Sequence, residues 1–326
     1  MISIKTSSQE FKNIDDDKSY NERLKLQNKI CMICHINNTN WAMYKRKYTE
    51  SYYVTNYLEM TYSNAYYKLW EMLDFLNKTF DIENNCRIIK HFDNGALPGD
   101  FIRAASNYFK LVGVPYAWRA CSYNDTNSDG YIGDRYDLLR NFSNNWIMDR
   151  NINGDILDNN TVRNIVAKLG SGNVNLYTSD LGFQFVDRFN EEGEYDKHYK
   201  AQCLLGLKLL AKGGIMICKQ FGLHNNKTRK YIQGISAYFK HTYVFKPFMS
   251  KHDNSESYIC FVDYVGKYTE EYKCSLSNLI HISNTLLTNQ NNAINKIIKK
   301  ASEEHDFEDC DDVARFFMTN LKYCDF

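Results

Sequence analysis

The chain has no excess of charge of either sign. Forty Lys and Arg are set against 39 Asp and Glu in 326 residues, a formal net charge of +1. A whole basic face for nucleic acid is therefore not expected, and any nucleic-acid path must be a local groove. Long apolar runs are also missing. No segment approaches the roughly 20 apolar residues that span a bilayer, so no membrane association is expected. Met1 to Asp17 is polar and charged, unlike a secretory leader. The 10 cysteines are accordingly expected to be reduced, in an intracellular, cytoplasmic setting. Cys31-Met-Ile-Cys34-His35 has the spacing of a haem attachment, but the export context for one is lacking. No second pair of ligands stands at zinc spacing, so no metal is expected. Internal repeats are not evident.

What is present suits a sizeable core. Hydrophobic residues make up 44% of the chain, enough for one large domain with additions or two smaller ones. Aromatic content is 15%, with 25 Tyr and 19 Phe, which serve core packing and also base stacking. Residues 1–60 are polar and weakly periodic, and read as an extension of short helices and loops. From Tyr62 to Phe80, apolar Ala65, Leu69, Leu73 and Leu76 recur at helical intervals. Strands and helices then alternate. Expected strands are Ile88-Ile89, Tyr116–Ser122, Trp146–Asp149, Val174–Thr178, Ile215–Cys218, Tyr243–Lys246 and Tyr258–Val265. Expected helices are Pro98–Phe109, Asn160–Leu169, Asp196–Ala211 stopped by Gly213-Gly214, and Thr228–Phe239. Asn124–Asp137 reads as loop, and 275–326 as a pair of helices. Such alternation predicts a doubly wound α/β sheet, and the short link between the last two strands makes them an antiparallel hairpin.

The turn Asp93-Asn-Gly95-Ala96-Leu-Pro98-Gly99-Asp100-Phe101 follows a strand and opens a helix. Glycines permit close backbone approach, and a helix N-terminus favours anions. The turn is not GxGxxG, and no acidic residue at the right spacing supports a dinucleotide oxidoreductase. It resembles the first motif of the FtsJ-like RNA ribose methyltransferases, Asp-x-x-Ala-x-Pro-Gly-Gly-Phe. Asp93, Ala96, Pro98, Gly99 and Phe101 match, while Asp100 stands where that family has a second glycine.

The same resemblance extends from about Tyr62 to Val265. It implies a Rossmann-like, S-adenosylmethionine-dependent methyltransferase fold, with a mostly parallel seven-stranded sheet and an antiparallel last hairpin. The implied division is an N-terminal extension (1–60), a methyltransferase domain (61–270) and a helical C-terminal extension (271–326). The family's dispersed Lys–Asp–Lys–Glu signature maps onto Lys68 in Ala65-Tyr-Tyr-Lys68-Leu69, Asp180 in Thr178-Ser-Asp180-Leu-Gly182, Lys219 in Gly213-Gly214-Ile-Met-Ile-Cys-Lys219-Gln-Phe221, and Glu256 in Lys246-Pro247…Ser255-Glu256-Ser-Tyr258. These residue types suit methylation of a ribose 2′-hydroxyl, a poor nucleophile that must be oriented and deprotonated. Lys219 is the candidate base, with Asp180 and Glu256 orienting the two lysines. Cofactor contacts are expected from Asp93, Gly95, Ala96, Pro98, Gly99, Asp180 and, in Asn153-Gly154-Asp155-Ile156, from Asp155 near the adenine.

The Cys-Lys-x-Phe and Lys-Pro…Ser-Glu-x-Tyr runs, and the long loop Asn124–Asn145 before Trp146, are most similar to the mRNA cap-specific branch. Capped mRNA is thus the implied partner, with no DNA. Ribosomal or transfer RNA, or an inactive binding subunit that keeps the fold, are the alternatives. The basic, aromatic-flanked Tyr44-Lys45-Arg46-Lys47-Tyr48 is either an RNA contact or solvated surface. Abundant Asn with only 3 Pro suits a large DNA virus or an AT-rich protist, and with a virus a place in the virion.

Overall fold

The structure, a computed structural model, describes residues 2–4, 62–82, 87–123, 133–148, 153–186 and 190–303. Helix α1 (Asn64–Phe80) begins at Ser63, whose hydroxyl accepts from the Tyr66 amide at 3.4 Å. It buries Leu69, Met72, Leu73 and Leu76, and ends at Asp81 in a left-handed conformation (φ 52°). Strand β2 (Ile89–Asn94) leads through the Gly95–Gly99 turn into α2 (Asp100–Leu111). Then follow β3 (Tyr116–Cys121), a short α3 (Leu138–Asn141), α4 (Asn159–Leu169), β4 (Val174–Ser179) and α5 (Glu191–Leu209). The chain continues through β5 (Leu210–Phe221), α6 (Asn226–Ser236), β6 (Phe239–Phe245), β7 (Glu256–Tyr264) and α7 (Leu276–Glu303). One further strand, β1 (Ile2–Ile4), comes from the start of the chain.

The sheet order is β1-β6-β7-β5-β4-β2-β3. Strands β3, β2, β4 and β5 run parallel, and β7 lies antiparallel to both β5 and β6. The expected parallel sheet with an antiparallel last hairpin is therefore present. Its seven strands are not the seven expected. Trp146 makes only a single parallel bridge to Ala120, so the region from β2 to β7 supplies six strands, and Ile2–Ile4 adds the seventh by pairing antiparallel with β6. The Trp146 ring is buried against the outer end of β3 instead, its indole N–H donating to the Leu138 carbonyl at 3.2 Å.

Three helix ends also differ from expectation. Helix α5 stops at Leu209, before Gly213-Gly214, and the glycines fall inside β5. They form an irregularity where the register jumps from Val174 opposite Leu210 to Leu176 opposite Ile215. Gly213 takes φ +81°, and a side chain on Gly214 would lie 2.8 Å from the Ala211 carbonyl. These glycines bend a strand into register rather than end a helix. Pro98 lies before α2, which Gly99 caps with φ 110°, so the helix starts two residues later than expected. Phe239 belongs to β6, not to the preceding helix. At the C-terminus a single helix runs to Glu303; the second helix expected there lies outside the described residues, as do Cys31–His35, Tyr44–Tyr48 and most of 1–60.

Side chains alternate across the sheet and split the core in two. One face, with Tyr177, Met216, Cys218 and Phe261, packs against α4, α5 and α6. The other, with Leu176, Ile217, Tyr258 and Cys260, is covered by α1 and α2. No helix among the described residues is long and apolar enough to cross a membrane.

Candidate active site

The chain passes from β2 outward to β3, then crosses back over β2 to β4. Such a reversal opens a crevice at the carboxyl ends of β2 and β4, where ligands of open α/β sheets bind. Asp93 and Asn94 end β2 there, and Asp180 directly follows β4. Because β7 is antiparallel to β5, it starts at this same edge, with Glu256 opposite Phe221 and Tyr258 opposite Lys219. Lys219, Glu256 and Tyr258 share alternation with Ile217 and Cys260, so they face α1, the helix that carries Lys68.

This brings together all four residues of the expected signature. Lys68 Nζ lies 2.6 Å from Glu256 Oε1, and Lys219 Nζ lies 2.8 Å from Asp180 Oδ1. Lys219 and Glu256 are buried, each 7% exposed, which is uncommon for such groups unless they are paired. Burial works against the Lys68 charge, but the Glu256 and Asp180 carboxylates outweigh it and hold Lys68 above the usual lysine range. Burial would raise Glu256; Lys68 and Lys219 overcome that and pull it down to about 2. At neutral pH Lys68 and Glu256 are thus a charged pair. The backbone at Gly182 leaves room beside Lys219: an added methyl there would lie 3.5 Å from Nζ.

Around the four stands a layer to which no role was assigned from sequence. The Tyr258 hydroxyl donates to Asp180 Oδ1 at 2.6 Å, and the Ser250 hydroxyl donates to Glu256 Oε1. Lys246 is turned inward and donates to the Asn254 carbonyl (3.0 Å), Asn254 Oδ1 (2.6 Å) and the Glu256 carbonyl (2.5 Å). It thereby closes the loop that delivers Glu256. Burial pulls Lys246 down to about 7, against the opposing pull of Glu256. Glu71, one turn beyond Lys68 on α1, accepts from the Phe248 amide at 2.9 Å, and burial pushes it up to about 7. The run from Lys246 to Tyr258 contains Lys246, Ser250 and Tyr258, so the residues lay within a stretch the sequence singles out; their partners were not legible.

The turn after β2 carries the expected cofactor residues. Gly95 (φ +71°) and Gly99 (φ +110°) hold backbone conformations that side chains disfavour. A Cβ on Gly95 would come within 2.6 Å of Leu181 Cδ2, and one on Gly99 would overlap the Leu138 side chain. Ala96 is buried and Pro98 precedes the helix cap. The departure at Asp100 is accommodated locally: its carboxylate accepts from the Tyr136 hydroxyl at 2.9 Å. Asp93 is fully enclosed; Oδ1 accepts from the Thr178 hydroxyl at 2.6 Å, and Oδ2 has no hydrogen-bond partner. Asn94 Oδ1 is likewise without a partner. Orphaned buried acceptors, strained glycines and a helix N-terminus together fit a polar ligand that carries its own donors and charges. Asp155 lies in a turn in which its Oδ1 accepts from the Leu157 amide at 2.9 Å. Gly154 (φ +82°) presses this turn against the Ser122 carbonyl just past β3, leaving no room for a side chain.

Fold and site together define a Rossmann-like methyltransferase. The chain belongs to the FtsJ-like methyltransferase family, which matches residues 61–264. Among its relatives, the probable methyltransferase EP424R of African swine fever virus is 31% identical over 220 residues, covering 62% of this chain and 50% of that protein. An uncharacterized protein of Acanthamoeba polyphaga mimivirus is 26% identical over 214 residues, covering 64% and 27%. The cap-specific mRNA (nucleoside-2′-O-)-methyltransferase 2 of Drosophila melanogaster is 24% identical over 199 residues, covering 55% and 28%. The chain thus spans half the length, or less, of these relatives. A ribosomal RNA methyltransferase structure from Plasmodium falciparum, described as putative, aligns with a TM-score of 0.40 and 15% identity over 61% of this chain and 97% of that one.

Proposed function

We propose that the protein transfers a methyl group from S-adenosylmethionine to the 2′-hydroxyl of the first transcribed nucleotide of capped mRNA. The observation that carries this reading is the double pairing Lys68–Glu256 and Lys219–Asp180 at the sheet edge beside the β2–α2 turn. When bound, the cofactor supplies an electrophilic methyl on a sulfonium. Asp93, Gly95, Ala96, Pro98, Gly99, Asp155 and Asp180 are the residues that would hold it.

The protein's own residues handle the hydroxyl. Lys219, paired with Asp180, first gives a proton to water; the amine then keeps one N–H on Asp180 and takes the ribose proton on its lone pair. Freed of its proton, the ribose oxygen would be the nucleophile for the methyl group that the bound cofactor would supply. The ammonium so formed on Lys219 is stabilised by Asp180, and its proton passes to water. Lys68, fixed by Glu256, stabilises the developing alkoxide charge. The likeness to a cap-specific mRNA methyltransferase supports capped mRNA as substrate, and the relatives in African swine fever virus and mimivirus support a viral origin.

The test is methyl-labelled cofactor with short RNAs bearing a methylated guanosine cap, an unmethylated cap or a 5′ triphosphate. Label confined to the first ribose of capped RNA is the expected result. Equal labelling of all three, or of ribosomal or transfer RNA alone, would overturn the cap assignment. Cofactor binding without transfer to any RNA would make the protein a binding subunit.

A further inference from the structure

The loop between β6 and β7 delivers Glu256 to Lys68, and it is gripped from several sides. Glu71 on α1 accepts from the Phe248 amide at 2.9 Å. Gln290 on α7 donates to the Asp253 carbonyl at 2.9 Å, and the Ser255 hydroxyl donates to Glu191 on α5. The remaining grip lies within the loop and differs in kind. Lys246 Nζ meets the Asn254 carbonyl, Asn254 Oδ1 and the Glu256 carbonyl at 3.0, 2.6 and 2.5 Å. Three acceptors need three N–H donors, which only the ammonium has; a neutral amine has two, and its lone pair would face an oxygen. The third of these bonds ends on the backbone of Glu256 itself, whose side chain meets Lys68 at 2.6 Å. Between the loop and α7 lies a cavity of about 180 Å³, lined in part by Lys246, His252, Asn254, Glu256, Ser283 and Gln290. It leaves room for the Lys246 side chain to swing away from its acceptors.

We propose that Lys246 is a positioning residue: as an ammonium it clamps the loop and holds Glu256 against Lys68, and as an amine it lets that pair loosen. The proposal rests on the methyl-transfer reading of the Lys68–Glu256 pair. The groups facing Lys246 put its titration in the working range. Burial draws it down, to about 7; Glu256 on β7 opposes that, Lys68 on α1 adds to it, and Asp253 in the loop and Glu191 on α5 oppose it. His252, also in the loop, lines the same cavity. The clamp is therefore complete below about pH 7 and is lost as pH rises through that value. Deprotonation of Lys219 runs the other way and gains with pH. Glu71 also stands near 7, but a carboxyl keeps an acceptor oxygen for the Phe248 amide whether or not it is protonated.

Two readouts test the clamp. In methyl transfer, wild-type kcat should stop rising near pH 7, whereas Lys246→Arg, charged throughout, should go on rising. Lys246→Met should lower kcat about 10²-fold, the cost of misplacing a group by about 1 Å, with the Kd for S-adenosylhomocysteine unchanged, and Lys246→Arg should recover most of that loss. The second readout needs no RNA. Reductive methylation with formaldehyde, followed by mass spectrometry, compares labelling of Lys68 with that of exposed Lys267. The ratio should climb above pH 7 in the wild type, stay low in Lys246→Arg and be high at every pH in Lys246→Met. Coincident pH profiles for wild type and Lys246→Arg, or a ratio that is flat in the wild type and the same in Lys246→Met, would overturn the proposal. The expected labelling without methyl transfer to any RNA would uphold the clamp and refute the methyl-transfer reading beneath it.

Discussion

The two halves of the site differ in what they leave unpaired. On the β5–β7 side, Lys68, Glu256, Lys219 and Asp180 neutralise one another, and Ser250 and Tyr258 add donors to the carboxylates. On the β2–α2 side, Asp93 Oδ2 and Asn94 Oδ1 are buried without partners. Charges that satisfy each other can be assembled before any ligand arrives. Buried acceptors left open are destabilising until something fills them. Under the proposed function one half carries the chemistry and the other binds the cofactor, and substitutions should separate the two.

The largest separation is expected at Lys219. Lys219→Ala should lower kcat for methyl transfer by about 10²- to 10⁴-fold, the usual contribution of a positioned acid or base. Cofactor affinity should change far less, because the turn after β2 is untouched and Asp180 keeps the Tyr258 hydroxyl as a donor. A comparable loss of cofactor affinity, read by calorimetry, would mean the halves are not separable.

Next comes the Lys68–Glu256 pair. Glu256→Ala leaves Lys68 buried without its carboxylate, and breaking a buried pair costs about 3–5 kcal/mol. Denaturant unfolding should show that loss, and Lys68→Met added to Glu256→Ala should recover part of it. The same pair gives the pH dependence its sign. Glu256 is depressed to about 2 in the folded protein, from 4.5. Its stabilisation is therefore present above about pH 4.5 and is lost as pH falls towards 2. The Tm should drop across that window in the wild type, and less steeply in Glu256→Gln.

Much of this organisation was legible in the sequence, for physical reasons. Lys219 follows an apolar strand, Asp180 ends another, and Glu256 opens a strand that must run antiparallel, so topology alone places them at one edge. Their pairing was not legible, since which lysine meets which carboxylate depends on α1 lying over β5 and β7. The three acceptors of Lys246 were hidden because they are set by the path of the loop between β6 and β7, not by spacing in the sequence. Glycine was the misleading signal. Gly213-Gly214 has the composition of a helix stop yet shapes an irregularity in β5, because a pair of glycines serves either purpose and the neighbouring strand decides. Trp146 likewise sits among strand-forming residues but is taken up by packing against β3.

A smaller effect sharpens the binding half. Gly99→Ala must place a side chain at φ +110° against Leu138. Strained backbone of this kind costs about 1–3 kcal/mol, and cofactor affinity should fall with it. Gly113→Ala is the control: its φ is +74°, but nothing lies within 4 Å of the added methyl. It should destabilise through backbone strain alone and leave cofactor binding intact. If both variants lose cofactor equally, the turn at Gly99 has no special part in binding.

The smallest and most selective effect is expected at Asp155. One carboxylate oxygen is committed to the turn, accepting from the Leu157 amide at 2.9 Å, so the other is the one available to a ligand. Asp155→Asn can keep the turn bond with its amide oxygen, which forces its NH₂ into the ligand-facing place. An adenine amino group would then meet a donor instead of an acceptor. One hydrogen bond of this type contributes about 0.5–1.5 kcal/mol, so cofactor affinity should fall about 3- to 10-fold, with kcat at saturation and Tm unchanged. An analogue of S-adenosylhomocysteine with an oxo group in place of the adenine amino group presents an acceptor there, and should bind Asp155→Asn at least as well as the wild type. The same loss for both ligands would show that Asp155 shapes the turn and does not read the base.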